Sequence, residues 1–137
     1  MLIVTGFDGS AHAERAVHKA DELADRLGAD LHIVMVAHIT ALGFPGLASP
    51  YPVDLYAIEE DRLREEIASV VQELRVDPSV MMVRGNPALE LTSYAEKHSA
   101  DLLVVGSRGR GAVATMLLGS TSHGVLWHSK CDLLIVR

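Results

Sequence analysis

The alternation of short apolar runs with helical repeats constrains the fold of this chain more than any other feature. Leu2–Phe7 is almost wholly apolar, as expected of a parallel strand that is covered on both faces. Apolar residues then recur at helical spacing over residues 13–27, between Ser10, a natural N-cap, and Gly28, a helix stop. Residues 31–37 form a second apolar run. Strand, helix and strand with short connections predict a βαβ unit, whose strands are parallel.

The same alternation continues to the end of the chain. Residues 54–75 show helical periodicity, and their run of charged residues is interpreted as a solvated face. Asn86 as N-cap and Pro87 at the first helical position predict a third helix that ends near residue 98. The remaining segments are predicted as a third, fourth and fifth strand at 80–83, 101–105 and 133–136 and a fourth helix within 115–127. Five strands alternating with four helices predict an α/β doubly wound domain.

A long connection interrupts the pattern at residues 38–52. Its glycines and prolines exclude a helix or a central strand: Gly43, Pro45, Gly46, Pro50 and Pro52. The connection leaves the carboxyl end of the second strand, the edge where ligands bind in open α/β sheets. Two interpretations remain open, a lid over a ligand and a disordered segment.

Composition excludes several classes of protein. A chain of 137 residues, 49% of them hydrophobic, predicts one domain over residues 1–137. The formal net charge of −6 argues against a nucleic-acid or anionic-membrane surface, and no apolar stretch is long enough to span a bilayer. Cys131 stands alone and no secretory signal is recognisable, so a cytoplasmic protein is expected. The histidines lack metal-ligand spacing, and no metal site built from side chains is expected.

A glycine-rich segment, residues 106–122, follows the fourth predicted strand and leads into the fourth helix. A strand that enters such a turn and then a helix presents free backbone N–H groups and a positive dipole end, which suit phosphate. A P-loop is excluded because Ala112 and Val113 follow Gly111 where Lys and Ser/Thr are needed. Residues 109–114 satisfy the dinucleotide pattern, but the next strand ends without the required acid.

The glycine spacing carries the most specific signal. Gly106, Gly109, Gly119 and the hydroxyl of Ser120 give the pattern G-x2-G-x9-G-[S/T]. This pattern resembles the ATP-binding signature of the universal stress protein family. Residues 3–10, 101–109 and 131–136 also resemble that family's opening, its fourth strand with the following turn, and its last strand, so the resemblance covers nearly the whole chain.

The resemblance implies a fold and a ligand. The fold is a five-stranded parallel sheet in the order 3-2-1-4-5 with helices on both faces, Rossmann-like and of the adenine nucleotide alpha-hydrolase type. Strands one and four are then neighbours whose helices leave to opposite faces, which opens a ligand crevice between them. The implied ligand is ATP with Mg²⁺. The implied contacts are adenine at Asp8, Val36 and Val105, ribose at Gly106, and phosphate at Gly109, Gly119, Ser120, Thr121 and Ser122.

The resemblance also implies a mode of action. In the family the last strand pairs across a dimer two-fold, and the apolar edge at 133–136 favours such a homodimer, although Asp132 replaces the family's usual proline. We therefore expect an ATP-binding stress or signalling module that acts through dimerisation and an unknown protein partner. It is not expected to be an enzyme, because no Asp or Glu lies between Gly106 and Lys130 and His123 is the only candidate base beside the hydroxyl run at residues 120–122. The alternatives are a slow ATP hydrolase or nucleotidyl transferase and a nucleotide-free dimeric interaction module.

Overall fold

Five strands alternate with four helices along the chain, as predicted. The computed structural model describes residues 1–39, 54–111 and 117–137. The elements are β1 Leu2–Phe7, α1 Ala11–Leu27, β2 Asp30–Ala37, α2 Leu55–Val71, β3 Ser79–Arg84, α3 Pro87–Lys97, β4 Leu102–Gly106, α4 Ser120–His128 and β5 Asp132–Val136. The predicted lid or disordered segment, residues 38–52, lies outside the described residues except for its first two positions.

All five strands join one parallel sheet in the order β3-β2-β1-β4-β5, which confirms the predicted fold. β1 lies at the centre, where Ile3 is in register with Leu31 of β2 and with Leu102 of β4. The chain moves outward from β1 to β2 and β3 and then crosses back to β4 on the other side of β1. The topological switch point therefore lies between β1 and β4.

The sheet separates two apolar cores. Because successive strand residues point to opposite faces, Ile3 and Ile33 pack with α1 and α2, whereas Val4 and Val34 pack with α3 and α4. All four side chains are fully buried. Covering on both faces explains why the three central strands, β1, β2 and β4, read as nearly continuous apolar runs rather than as alternating patterns.

The helix boundaries that the sequence marks most clearly are confirmed. The Ser10 hydroxyl accepts a hydrogen bond from the backbone N–H of Ala13 at 3.2 Å, and Gly28 ends α1 in the left-handed conformation with φ 60°. The Asn86 side chain caps α3, with Pro87 at its first position. None of the helices in the described ranges has the length and hydropathy needed to cross a membrane.

α2 differs from its predicted bounds. It ends at Val71 and not at residue 75, because the backbone N–H groups of Arg75 and Val76 donate to the buried carboxylate of Asp21 at 2.9 and 3.1 Å. These long-range hydrogen bonds replace the local ones that would continue the helix. α4, expected within residues 115–127, spans Ser120–His128, and its N-cap residue Gly119 donates its N–H to the Ser107 carbonyl at 2.7 Å.

Candidate functional site

A crevice opens at the carboxyl ends of β1 and β4, where the switch point lies. Apolar side chains of β2, β4 and α3 form one part of its lining, and polar groups from the turns after β1 and β4 form the rest. The lining residues are Gly6, Phe7, Asp8, Ala13, Val34, Val36, Pro87, Leu91, Val105, Gly106, Arg108, Gly109, Thr121 and Ser122. An apolar slot with a few polar groups at its edge is the usual form of a small-molecule site.

A second groove lies between α1 and the segment that follows α2. Its charged side chains pair with one another, as Lys19 and Glu22 do at 2.8 Å. It contains none of the residues that the glycine pattern singled out. We therefore assign the candidate site to the crevice at the switch point.

Seven of the nine predicted site residues line this crevice: Asp8, Val36, Val105, Gly106, Gly109, Thr121 and Ser122. The other two, Gly119 and Ser120, are absent from the lining. Gly119 is buried directly behind the glycine-rich turn, residues 106–111, and Ser120 is exposed on the first turn of α4. The structure thus brings most of the predicted residues together, and the ligand contact assigned to each stays a prediction.

The turn after β1 is fixed by its own side chains. Asp8 Oδ1 accepts a hydrogen bond from the backbone N–H of Ser10 at 2.9 Å, and Ser10 in turn caps α1. Asp8 Oδ2 lies 2.6 Å from the position that a Cβ atom on Gly109 would occupy. The Asp8 carboxylate and the backbone at Gly109 therefore face each other at close range, and a side chain at position 109 would require the carboxylate to move.

Gly106 has a packing function that sequence analysis did not identify. A Cβ atom at this position would lie 2.6 Å from the carbonyl carbon of His12 and 2.9 Å from the backbone nitrogen of Ala13. The end of β4 thus packs directly on the backbone of the first turn of α1. This backbone contact alone explains why residue 106 is a glycine. The predicted contact of Gly106 with ribose stays a prediction.

Ser107 connects three elements behind the crevice. Its backbone N–H donates to the carbonyl of Val136 at 2.6 Å, and its own carbonyl accepts from the N–H of Gly119 at 2.7 Å and from the Ser122 hydroxyl at 3.0 Å. Ser122 is 1% exposed, and its hydroxyl also lies 3.0 Å from the Gly119 carbonyl. The Ser122 hydroxyl is thus directed to backbone carbonyls, and the predicted contact of this residue with phosphate stays a prediction.

Arg108 and His12 were not among the predicted binding residues. Arg108 lines the crevice, and its buried Nε has no hydrogen-bond acceptor among the residues that the structure describes. Its place between Gly106 and Gly109 already marked it in the sequence as a residue of the turn. His12 is not part of the lining, and its Nδ1 lies 3.1 Å from the Ser107 hydroxyl. His12 carries no signal in the sequence, since its contact depends on the packing of α1 against β4.

The charged run on α2 is not merely a solvated face, and that interpretation was wrong for part of it. Arg62 donates to Glu59 at 2.8 Å through Nε and to Glu66 at 2.7 Å through a terminal nitrogen. Glu66 also pairs with Arg110 of the glycine-rich turn. α2 therefore contributes charge at the edge of the candidate site, which a helical periodicity alone does not reveal.

The protonation of His12 is expected to make stability depend on pH. Desolvation lowers the pKa of His12 below its usual value, and the charges of Arg15 and Arg108 lower this pKa further, while Asp8 raises it. The unfolded chain then binds a proton at this position more readily than the folded chain does. The free energy of unfolding that neutral His12 contributes is therefore fully present above the pKa of His12 in the unfolded chain, about 6.5. This contribution is lost as the pH falls below that value.

We expect the urea midpoint of the parent protein to fall more steeply than that of His12→Gln between about pH 7 and pH 5. Chemical denaturation at several pH values measures both slopes, and the variant retains the other histidines as an internal reference. Parallel slopes for the two proteins would exclude this contribution.

Comparison with known proteins places the chain in a family. The sequence model of the universal stress protein family matches residues 1–137. Universal stress protein A homolog 2 from Coxiella burnetii is 38% identical over 125 residues, which cover 88% of this chain and 83% of that protein. The structure of universal stress protein UspA from Lactobacillus plantarum superposes with a TM-score of 0.86 at 25% identity, covering 100% of this chain and 97% of that chain. A universal stress protein solved in complex with cAMP gives a TM-score of 0.70 at 34% identity, with 100% and 96% coverage. The chain therefore belongs to the universal stress protein family.

Proposed function

We propose that this protein binds ATP with Mg²⁺ in the crevice between the ends of β1 and β4 and acts as a nucleotide-dependent stress or signalling module. The observation that carries the proposal is the buried Nε of Arg108, which lines the crevice without an acceptor among the described residues. A buried, unpaired donor on a charged group is costly, and a phosphate or ribose oxygen would supply the missing acceptor. A family member 34% identical to this chain was solved with cAMP, which supports an adenine nucleotide as the ligand class.

The remaining parts of a nucleotide find suitable surroundings in the same crevice. The side chains of Val36, Leu91 and Val105 offer an apolar slot for a base. Thr121, in the first turn of α4, places a hydroxyl and the positive end of the helix dipole beside the glycine-rich turn. Mg²⁺ bound to the phosphates would screen their charge and keep most of its waters.

The direct test is to denature the purified protein and identify the released nucleotide by chromatography, followed by titration of nucleotide-free protein with ATP. ATP or another adenine nucleotide at about one per chain would support the proposal. Arg108→Gln, purified in the same way, is expected to release less. A parent protein that releases no nucleotide and binds none in titration would instead support the nucleotide-free interaction module.

We further propose that the module acts as a homodimer through β5. Within the described residues β5 pairs on one side only, with β4, and Leu133 to Val136 remain partly exposed. An apolar edge strand of this kind favours pairing with another chain. Light scattering at micromolar concentration is expected to give twice the chain mass of 14.8 kDa. A mass of one chain under these conditions would contradict dimerisation.

Turnover of ATP is expected to be far below the roughly 1 s⁻¹ of slow typical enzymes. His123, the candidate base, accepts a hydrogen bond at Nε2 from the indole N–H of Trp127 at 3.1 Å, so that nitrogen is already engaged. Glu66 is paired with two arginines, and Asp8 accepts from Ser10. Without a positioned base the reaction loses most of its proximity advantage, worth up to about 7–11 kcal/mol. Steady-state phosphate release above that rate, lost in His123→Ala, would favour the ATP hydrolase.

A further inference from the structure

The two arginines beside Gly109 have different surroundings. Arg108 lines the crevice, and its Nε has no acceptor among the described residues. Arg110 lies outside the lining and pairs with Glu66 of α2. One cation of the glycine-rich turn is thus available to a ligand, whereas the other is held by a carboxylate of the protein itself.

Glu66 is part of a row of alternating charges. Arg62 bonds to Glu59 at 2.5 and 2.8 Å and to Glu66 at 2.7 Å, and the other oxygen of Glu66 pairs with Arg110. The hydrogen bond from Arg62 lowers the pKa of Glu59, and the hydrogen bond to Glu59 raises the pKa of Arg62, so both stay charged at neutral pH. Because each Glu66 oxygen already faces a guanidinium, this carboxylate is poorly placed to serve as a metal ligand.

The Glu66–Arg110 pair lies directly over the turn that ends β1. A Cβ atom on Gly9 would come within 2.9 Å of an Arg110 terminal nitrogen and would overlap a Glu66 oxygen. Gly9 has φ +79°, a conformation that side chains disfavour, and its missing Cβ leaves room for the ion pair. The next residue towards β1 is Asp8, which lines the crevice, so the pair lies at the rim of the candidate site.

We propose that Glu66 is a specificity-determining residue that sets how strongly the site favours nucleotides with more phosphates. Glu66 pairs with Arg110, so this cation is not free to bind the ligand, and the Glu66 carboxylate also adds a negative charge at the rim. Both effects weaken the binding of a nucleotide more strongly as the negative charge of the nucleotide increases. The pair is partly exposed, with side-chain exposure of 45% for Arg110 and 31% for Glu66. Such pairs contribute little stability, so a polyphosphate can compete for Arg110. This inference rests on the proposed function, and it adds Glu66 as a carboxylate that sets the site's preference for phosphate number.

The test compares ligands that share the base and ribose but differ in phosphate number. ATP, AMP and adenosine are titrated by calorimetry, in low salt with EDTA, into the parent, Glu66→Gln and Glu65→Gln. Glu65 is the matched control, because it is exposed on the same helix and forms no ion pair within the described part of the chain. We expect Glu66→Gln to bind ATP about 3- to 10-fold more tightly, AMP with a smaller gain and adenosine within about 2-fold of the parent. Glu65→Gln should change ATP affinity by less than about 2-fold.

A second comparison assigns the effect to Arg110. In an Arg110→Gln background, Glu66→Gln is expected to lose the part of its gain for ATP that comes from the released cation and to keep only the part that comes from removing a negative charge. Equal gains for ATP and adenosine, or weaker ATP binding by Glu66→Gln, would overturn the proposal while leaving the nucleotide site intact. A parent that binds neither ATP nor adenosine, both in EDTA and in a parallel titration with Mg²⁺, would overturn the proposed function, and this inference with it.

Discussion

Gly106→Ala is expected to lower the free energy of unfolding by about 1–3 kcal/mol, the usual cost of inserting a methyl group into closely packed structure. The added Cβ would lie 2.6 Å from the carbonyl carbon of His12, 2.7 Å from its oxygen and 2.9 Å from the nitrogen of Ala13. All three are backbone atoms of the first turn of α1, so no rotation of a side chain relieves the overlap. Either α1 or the end of β4 must shift.

Urea denaturation of the parent and the variant measures this effect, with an unchanged m-value as evidence that the same transition is compared. Gly111→Ala is the matched control, since a Cβ there meets no atom of the described residues within 4 Å. The control should stay within about 0.5 kcal/mol of the parent. A Gly106→Ala protein as stable as the control would show that β4 and α1 do not pack as closely as the structure indicates.

Gly109→Val is expected to weaken ATP binding by at least about 100-fold, or roughly 2.7 kcal/mol, while the protein stays folded. The new Cβ would lie 2.6 Å from Asp8 Oδ2, so the side chain would fill the gap between the turns after β1 and β4. The atom that it meets is the end of a side chain and can move, which limits the cost in stability. The crevice, however, loses the space and the backbone access that a phosphate needs.

Gly119→Val should also weaken ATP binding, by a different route. Its Cβ would lie 3.3 Å from Arg108 Cα and 3.4 Å from the Gly109 nitrogen, and so would displace the turn from behind. Titration with a fluorescent ATP analogue measures both variants, and Gly111→Val serves as the control of equal size. Unchanged affinity in Gly109→Val and Gly119→Val would contradict the phosphate assignment.

Much of the fold could be predicted from the sequence because its signals are local. Apolar runs marked the five strands, and Ser10, Gly28, Asn86 and Pro87 marked helix ends through bonds that span only a few residues. The predictions were wrong where a distant partner decides. α2 ends early because Asp21 of α1 binds the backbone beyond it, and no local pattern around Val71 encodes that contact.

The candidate site, like the fold, could be predicted where its signals are local and could not where a distant residue decides. Glycine spacing identified the turn after β4, because a turn that approaches a ligand or another backbone needs positions without a Cβ, and this requirement is visible in the residue types. The sequence did not show what each glycine contacts. Gly106 packs against the backbone of α1, and Gly109 lies against the carboxylate of Asp8. The hydroxyl of Ser122 looked like a phosphate ligand, yet it bonds to the backbone carbonyls of Ser107 and Gly119.

The sequence by itself therefore determined the helices, the strands and the glycine-containing turn after β4, because periodicity, capping and glycine spacing act over short stretches of chain. The strand order 3-2-1-4-5, and with it the place of the crevice, was predicted from the resemblance to the family and is confirmed by the structure. Only the tertiary structure decided which polar groups lie in and around that crevice. His12, Arg108 and Glu66 come from a helix, a turn and another helix that are far apart in the chain. Their contacts depend on how α1 and α2 pack on the sheet, and that packing is set by the whole core rather than by any residue's neighbours in sequence.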